Sequence, residues 1–343
     1  MDSKEQLAEV FNNLLLPKIF QTFRISIQLS KLIIALLAVG VIFLAGWIMD
    51  FSRTVVVMPD TEGKITELQI YIANPEQFGS FLENYKTESE NAGVFITLWH
   101  FACEKLHDAS NSFFELNFTA VFNNFAEYFE SLKWALRYHP IYSAVFFTIK
   151  LVVAALAGGA ICRAAALQFA RGERPGVGEA LRFSFKKFKS FLAAPLLPLA
   201  IIVLAGLPVF LLGILGNISY IGEMIMCVFM PLVLIAGFVI AVVAIGAIAG
   251  FNLMFPAIAY DNSDCLDAIS RSFSYVYAKP WRMGFYTLIA AVYGAICYAF
   301  VRFLAFLLLW AAYFFLRLGI WGNYTGSQIN KLKTPWQVSM VIA

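Results

Sequence analysis

Apolar runs long enough to cross a lipid bilayer are the dominant feature of this sequence. A spanning helix needs roughly 20 mainly apolar residues, and "LIIALLAVGVIFLAGWIM" (32–49) is close to that length. Later runs occupy 141–162, 191–216, 224–258 and 284–316. Of the 343 residues, 60% are hydrophobic and 14% are charged, whereas a soluble domain is typically about 25% charged. The sequence therefore predicts an all-α polytopic membrane protein.

The number of spans depends on the last apolar run. Residues 284–320 are interrupted by Arg302 and Arg317. As one helix this stretch is about 55 Å long at 1.5 Å per residue, which is more than one crossing requires. We predict that it crosses once, which gives five spans, and a hairpin that gives six spans is the alternative. The tail, 321–343, is polar at first and then apolar.

Residues 50–140 have a different composition and predict a small α+β domain outside the bilayer. "RTVVVMP" (53–59) and "KITELQIYI" (64–72) are typical of short strands, and amphipathic helices follow. Acidic residues outnumber basic ones by thirteen to six. The acidic residues are Asp50, Asp60, Glu62, Glu67, Glu76, Glu83, Glu88, Glu90, Glu104, Asp108, Glu115, Glu127 and Glu130.

Two of these helices have apolar faces rich in aromatic residues. Helical spacing places such residues on one side of each helix, so the faces are predicted either to pack on each other or to rest on the bilayer. One face comprises Phe95, Trp99, Ala102 and Leu106, and the other comprises Phe122, Phe125, Phe129, Leu132 and Leu136.

Basic residues in short loops predict the orientation, because such loops are retained in the cytoplasm. The loop 163–190 contains seven basic and two acidic residues. We therefore expect this loop, the loop 261–282 and the N-terminus to be cytoplasmic and 50–140 to be extracytoplasmic. The segment 1–31 is predicted to be amphipathic, broken near Pro17, and to lie at the cytoplasmic interface or to cap the bundle. The expected location is the bacterial inner membrane.

A short polar phrase occurs twice, as "EALRFSF" (179–185) and "DAISRSF" (267–273). Each copy precedes an apolar run and begins with an acid, which is favourable at a helix N-terminus. We interpret each as an elbow helix that leads into the next span. Two copies separated by one helical hairpin suggest an internal repeat.

The second copy, within "FPAIAYDNSDCLDAISRSFSYV" (255–276), resembles an elbow found in polytopic bacterial membrane families. These include the membrane domain attached to some glycerophosphodiester phosphodiesterases. Residues 171–190 match the same elbow more loosely. The resemblance covers about 141–316 and excludes 50–140. It implies a membrane bundle and carries over no catalytic residue, because in that family the chemistry lies in a separate soluble barrel for which this chain has no room.

Motifs for catalysis, metals and cofactors are not found in the sequence. His100, Glu104 and His107 share one predicted helix face that could hold a metal, but an ordinary polar stripe is the preferred interpretation. There is no H-E-x-x-H, G-x-S-x-G, P-loop or dinucleotide fingerprint. The five cysteines include no C-x-x-C pair. We expect a protein that is not an enzyme and has no cofactor, no metal and no nucleic-acid partner.

Polar residues within apolar runs are the default functional candidates of a membrane protein. Lys150, Glu223, Asn252 and Arg302 meet this criterion. Structural pairing or snorkelling is the favoured interpretation of Lys150 and Arg302, and a substrate or ion path is the alternative.

Two further patterns predict contacts. Small residues spaced to allow close helix packing include Gly158, Gly159, Gly246 and Gly250. The basic elbow is expected to attract anionic lipid headgroups through Arg182, Lys186, Lys187 and Lys189.

Two function classes follow from these features. The first is a non-enzymatic scaffold, assembly factor or accessory subunit, with membrane lipids and other subunits or a second copy as partners. The second is a transporter or channel for a small or lipid-like cargo, favoured by apolar runs that prolines interrupt.

Overall fold

The computed structural model describes residues 16–52, 54–60, 63–76, 78–85, 90–218 and 221–319. The chain divides into two compact units. The bundle unit comprises Met1–Gly46 and Ala144–Tyr286, and the sheet unit comprises Trp47–Ser143 and Thr287–Ala343, each as far as it is described.

Five helices of the described chain are long and apolar enough to cross a membrane. The predicted five-span, mainly helical architecture is confirmed at this level. The last of these helices is continuous, so the hairpin that would give six spans does not occur within it. The five are α2 (Leu29–Met49), α7 (Pro140–Arg171), α9 (Phe188–Leu215), α10 (Ile221–Asp261) and α12 (Pro280–Gly319).

The first described helix is α1 (Leu16–Ser26). Pro17 lies in its first turn, where a missing N–H removes no helical hydrogen bond. Pro17 thus falls at the start of this helix and not within it. The preceding part of the predicted amphipathic segment, up to residue 15, lies outside the described residues.

The sheet unit contains a three-stranded antiparallel sheet in the order β2-β1-β3. Its core is buried between the sheet and the helices, and Val55, Leu68, Phe78 and Trp134 are among its members. The strands are β1 (Val55–Asp60), β2 (Gly63–Thr66) and β3 (Glu90–Ala92), and two short helices, α3 (Glu67–Ala73) and α4 (Phe78–Tyr85), lie between β2 and β3 along the chain.

The predicted strand 64–72 is wrong beyond Thr66. Thr66 forms a capping box with Gln69, in which each side chain accepts a hydrogen bond from the backbone N–H of the other residue. This motif satisfies N–H groups that a helix start leaves unpaired. The apolar alternation of this stretch therefore gives way to helix α3.

Two long antiparallel helices follow β3 in the chain and precede the second span. Helix α5 (Val94–Phe114) and helix α6 (Phe118–Tyr138) pack on each other. Leu116, in the turn between them, has φ of 59°, a left-handed conformation that reverses the chain direction. A salt bridge of 2.7 Å joins Lys105 Nζ to Glu127 Oε2 across the pair.

In the bundle unit, the two copies of the repeated phrase form the elbow helices α8 (Val177–Lys186) and α11 (Cys265–Ala278). Aligned residues have the same environment in both. Ala180 and Ala268 are fully buried, and so are Ser184 and Ser272 four positions later. Since residues four apart share a helix face, each elbow turns an Ala–Ser face into the bundle.

Each buried elbow serine lies against a glycine of the preceding long helix. A Cβ atom added to Gly159 of α7 would lie 2.6 Å from Ser184 Oγ, and one added to Gly250 of α10 would lie 3.3 Å from Ser272 Oγ. Gly246, one turn before Gly250, faces the ring of Phe273. The absence of a side chain at these glycines is what lets the elbows approach the spans.

Candidate functional site

An exposed apolar stripe runs along α6. Its side chains recur at helical spacing on one face of the helix. Phe122 is 72% exposed and Phe129 is 60% exposed, although aromatic side chains of this size are normally buried. We call this surface the aromatic stripe; it comprises Phe118, Phe122, Phe125, Phe129 and Leu136.

A cavity of about 210 Å³ opens beside the aromatic stripe, between α5 and α6. Phe125 belongs to both the stripe and the cavity wall. The wall is mainly apolar, and the Lys105 ammonium that lines it is held by Glu127. The remaining lining residues are Ala102, Leu106, Asn124 and Tyr128. The arrangement suits an apolar group inserted from outside, in the way that interface pockets take up anchor side chains.

The two predicted apolar faces do not pack fully on each other. Phe95 of α5 is 4% exposed, and its ring lies 5.8 Å from that of Trp99. The α6 face remains exposed at four of its five predicted residues, while Leu132 is partly buried. The reason is that α6 turns other residues, including Trp134 and Ala135, towards the core.

Asp50 fastens the end of the first span to the start of α5. Its carboxylate accepts hydrogen bonds from the backbone N–H groups of Phe95 (2.8 Å) and Ile96 (2.9 Å). It also accepts one from the hydroxyl of Tyr142 at 2.9 Å. A negative charge at this position complements the helix dipole. The N-cap residue, Gly93, has no side chain and so leaves room for Asp50.

A second buried polar group joins the start of the sheet to the end of α6. Glu67 is 2% exposed, and its carboxylate accepts the Val56 N–H at 2.9 Å and lies 3.1 Å from His139 Nε2. His139 Nδ1 lies 3.3 Å from Thr54 Oγ1. The row of hydroxyl, imidazole and carboxylate has the order found in hydrolases, but these residues do not line the cavity beside the aromatic stripe.

The metal interpretation of His100, Glu104 and His107 gains no support from geometry. Within the described chain, no three His, Cys, Asp or Glu side chains come together to hold a metal ion. His107 Nε2 instead lies 3.0 Å from Asn111 Nδ2, one turn along α5. The described cysteines are all free thiols, and burial raises the pKa of Cys103 above its ordinary value.

The four predicted intramembrane polar residues lie on three helices. Lys150 lies on α7 and is exposed, Arg302 lies on α12 and is partly buried, and Glu223 and Asn252 are both exposed on α10. Glu223 and Asn252 are separated by about 44 Å at 1.5 Å per residue. Among the described residues, Lys150, Glu223 and Asn252 form no hydrogen bond or ion pair with each other.

The predicted lipid-facing basic residues of the first elbow are not equivalent. Arg182, Lys186 and Lys189 are exposed. Lys187 Nζ instead lies 3.3 Å from Asp264 Oδ1, the N-cap residue of α11. This ion pair connects the end of one elbow to the beginning of the other.

Arg163 lies within helix α7, which extends to Arg171, and not in a loop. Its guanidinium donates to the Ala259 carbonyl oxygen at 2.6 Å and stacks over the Phe183 ring at 4.4 Å. A cation at the carbonyl end of a helix is favourable, so this arginine stabilises the end of α10. In the second elbow, Arg271 Nε donates a hydrogen bond to Asp267 Oδ1 at 3.0 Å, and this bond raises the pKa of Arg271.

No protein-family model, curated protein or solved structure matches the chain. The resemblance to the bacterial elbow-containing membrane families therefore stays a prediction from the motif, and function is argued from the geometry alone.

Two of these features could not be predicted from the sequence. The pairing of Glu67 with His139 joins residues 72 positions apart, and the Asp50–Phe95 contact joins residues 45 apart. A carboxylate next to a predicted strand and a histidine next to a predicted span were the available signals, but neither identifies its partner.

Proposed function

We propose that this protein is a non-enzymatic accessory or scaffold subunit of a membrane complex, which binds a partner subunit through the aromatic stripe outside the bilayer. The observation that carries the proposal is the exposure of the stripe beside an apolar cavity. Contiguous apolar patches on a protein surface mark interaction sites. The location of the stripe in the bacterial extracytoplasmic space rests on the distribution of basic loops.

The geometry of the stripe favours a helical partner. Phe118 and Leu136 are 18 positions apart, which corresponds to about 27 Å of helix. An apolar helix lying along the stripe would make contacts over several turns and could insert a side chain into the adjoining cavity, as in helix-in-groove recognition. Phe125 is the natural centre of such an interface because it borders the cavity.

Charge distinguishes a protein partner from the bilayer itself. The acidic excess of residues 50–140 disfavours close approach to anionic phospholipid. The same excess favours a partner helix whose apolar face is flanked by Lys and Arg, because complementary potentials speed association and select the partner. We therefore assign the stripe to a partner subunit with a basic-flanked apolar helix.

The test is native mass spectrometry of the protein extracted gently from its own membrane. We expect a protein subunit at fixed stoichiometry in the wild type and in an Asn123→Ser variant, which alters an exposed polar residue of α6. The double variant Phe122→Ser, Phe129→Ser should lose that subunit. It should retain its thermal unfolding midpoint, because both rings are exposed in the isolated chain.

Two outcomes would contradict the proposal. Extraction of the protein alone from all three preparations would remove the evidence for a complex. Retention of the subunit by the double variant would show that a complex exists but that the stripe does not hold it.

Transport of a lipid-like cargo is the second candidate function. The observation that favours it is the presence of prolines inside the spanning helices, because proline leaves backbone carbonyls unpaired within a helix and interrupted helices line transport sites. A transporter should lose flux in Lys150→Met and Arg302→Met variants, whereas a scaffold should retain its complex. The prolines are Pro195, Pro198 and Pro208 in α9 and Pro231 and Pro256 in α10.

A further inference from the structure

A basic cavity lies in the bundle unit where the junction of α1 and α2 meets the end of α7. Its volume is about 260 Å³. We call it the junction pocket; its lining residues are Gln21, Arg24, Ile25, Gln168, Phe169 and Arg174. Two guanidinium groups and two carboxamides thus border one compact space, and no acidic residue is among the described lining.

A buried lysine supports the wall of the junction pocket. Lys31, in the first turn of α2, is 4% exposed. Its ammonium donates to the carbonyl oxygen of Ile25 at 2.8 Å and to Oε1 of Gln168 at 2.6 Å, and both of these residues line the pocket. A third bond, of 3.2 Å, goes to Gln28 Oε1. All three donors of the ammonium are therefore used by neutral acceptors.

The positive charges in and beside the junction pocket are not compensated by acidic side chains of the described residues. Within the described parts of the chain, Lys31, Arg24 and Arg174 form no ion pair with a carboxylate. The nearest acid in sequence, Glu173, is exposed beside Arg174 and forms no ion pair with a described residue either. A buried cation is costly unless an opposite charge accompanies it. Among the described residues no carboxylate accompanies Lys31, and an anion bound in the neighbouring pocket would supply that charge.

We propose that the junction pocket binds a phosphate group. Arginine pairs bind phosphate oxygens through paired N–H donors, and carboxamides such as those of Gln21 and Gln168 offer further donors. The volume lies below the roughly 300–1,000 Å³ of pockets for drug-sized ligands, which suits a compact group and not a whole lipid.

The position of the junction pocket, beside the start of the first spanning helix, suits a phosphate of the lipid headgroup layer. Lys31 is the third residue of the first spanning helix, so the pocket lies where apolar chain gives way to polar chain. The phosphate can therefore belong to an anionic phospholipid headgroup or to a free phosphate ion. This inference concerns a site in the bundle unit and does not depend on the proposed role of the aromatic stripe.

The test is ligand titration of the full-length protein in neutral detergent, followed by native mass spectrometry. The ligands are short-chain phosphatidylglycerol, the diacylglycerol with the same chains, and inorganic phosphate. The variant is Arg24→Gln, Arg174→Gln. The matched control is Lys279→Gln, Arg282→Gln, which removes the same charge from exposed positions of the bundle unit outside the pocket. Because all four residues are exposed, both variants should keep the wild-type unfolding temperature.

We expect phosphatidylglycerol to bind at least ten times more tightly than diacylglycerol. The pocket variant should lose about fivefold in affinity for each arginine removed, and the control should bind like the wild type. If inorganic phosphate binds with the same sensitivity to the pocket variant, the site takes free phosphate as well; if it does not bind, the lipid headgroup is the source. Equal affinity of the pocket variant and the control for both phosphate ligands would overturn the proposal, and so would equal binding of diacylglycerol.

Discussion

Gly159 of α7 and Ser184 of α8 are in direct contact, and the Ser184 hydroxyl also forms a hydrogen bond with the backbone of α7 in the turn that precedes Gly159. Ser184 Oγ donates to the carbonyl oxygen of Leu156 at 2.7 Å, and a Cβ atom on Gly159 would lie 2.6 Å from the same Oγ. The first elbow is thereby joined to the second span by a polar contact that requires a glycine.

We predict that Gly159→Ala destabilises the protein by about 1–3 kcal/mol, which is the usual cost of overpacking a filled core. The new methyl group would also lie 2.7 Å from the ring of Phe191, and both neighbouring side chains are fully buried. Thermal unfolding in detergent measures the effect.

The control for this substitution is Gly237→Ala in α10, where no atom lies within 4 Å of an added Cβ. It should be neutral or stabilise the protein by up to about 1 kcal/mol, because Ala is a better helix former than Gly. Equal unfolding temperatures for the two variants would show that the contact at Gly159 is not tight.

Glu67→Ala should destabilise the sheet unit by about 3 kcal/mol. The substitution removes the carboxylate that contacts the His139 imidazole, and it leaves the Val56 N–H without an acceptor. Glu67→Gln should lose less than half as much, since its carbonyl oxygen can still accept that bond. Hydrogen exchange of the β1 amides measures both effects.

The control for Glu67 is Glu83→Ala, at an exposed position, which should change stability by less than about 0.5 kcal/mol. A loss of stability in Glu83→Ala equal to that in Glu67→Ala would contradict the structural role of the Glu67 carboxylate.

Asp50→Ala should increase hydrogen exchange in the first turn of α5, because two backbone N–H groups lose their acceptor. The expected cost is about 1–2 kcal/mol, as for other N-cap losses. Asp50→Asn should fall between wild type and Asp50→Ala, since the carboxamide keeps an acceptor but lacks the charge that complements the dipole. If Glu104→Ala, at an exposed position of the same helix, raised the exchange equally, the role of Asp50 would be disproved.

Alkylation of Cys103 should be slower than that of an exposed thiol at pH 8, because burial raises the pKa of this thiol and the thiolate is the reacting species. The rate profile should therefore be displaced to higher pH. The folded state favours the neutral thiol. The free energy of unfolding should therefore be unaffected by Cys103 below the ordinary thiol pKa, and it should fall as the pH rises from that value towards the raised pKa of the folded state. Peptide-level mass spectrometry of timed iodoacetamide reactions measures the rate, and unfolding in SDS should return the profile to its ordinary position.

Hydropathy alone was sufficient to predict the five helices that are long and apolar enough to span a membrane, because length and apolar content are decided locally. The short segments were less predictable. In 64–72 the alternation of apolar residues favoured a strand, but the capping pair of Thr66 and Gln69 determined a helix start. The strand β3, Glu90–Ala92, has too few residues to show any periodicity.

Contacts between distant residues could not be predicted from the sequence for a different reason. The spacing of Gly246 and Gly250 indicated a close approach, but not that Phe273 and Ser272 would occupy it. In the same way, the basic residues of 163–190 looked equivalent in sequence. In the fold they have different partners. Arg163 binds a carbonyl oxygen at the end of α10, Lys187 pairs with Asp264, and Arg174 lines the junction pocket.

The paired glycine–serine contacts have an evolutionary consequence. Because Gly159 faces Ser184 and Gly250 faces Ser272, a larger residue at either glycine requires a smaller one opposite. Substitutions at 159 and 184 should therefore be correlated among descendants of this chain, and those at 250 and 272 likewise. Since each contact lies between one elbow and the long helix that precedes it, the two glycine–serine pairs can change independently of each other.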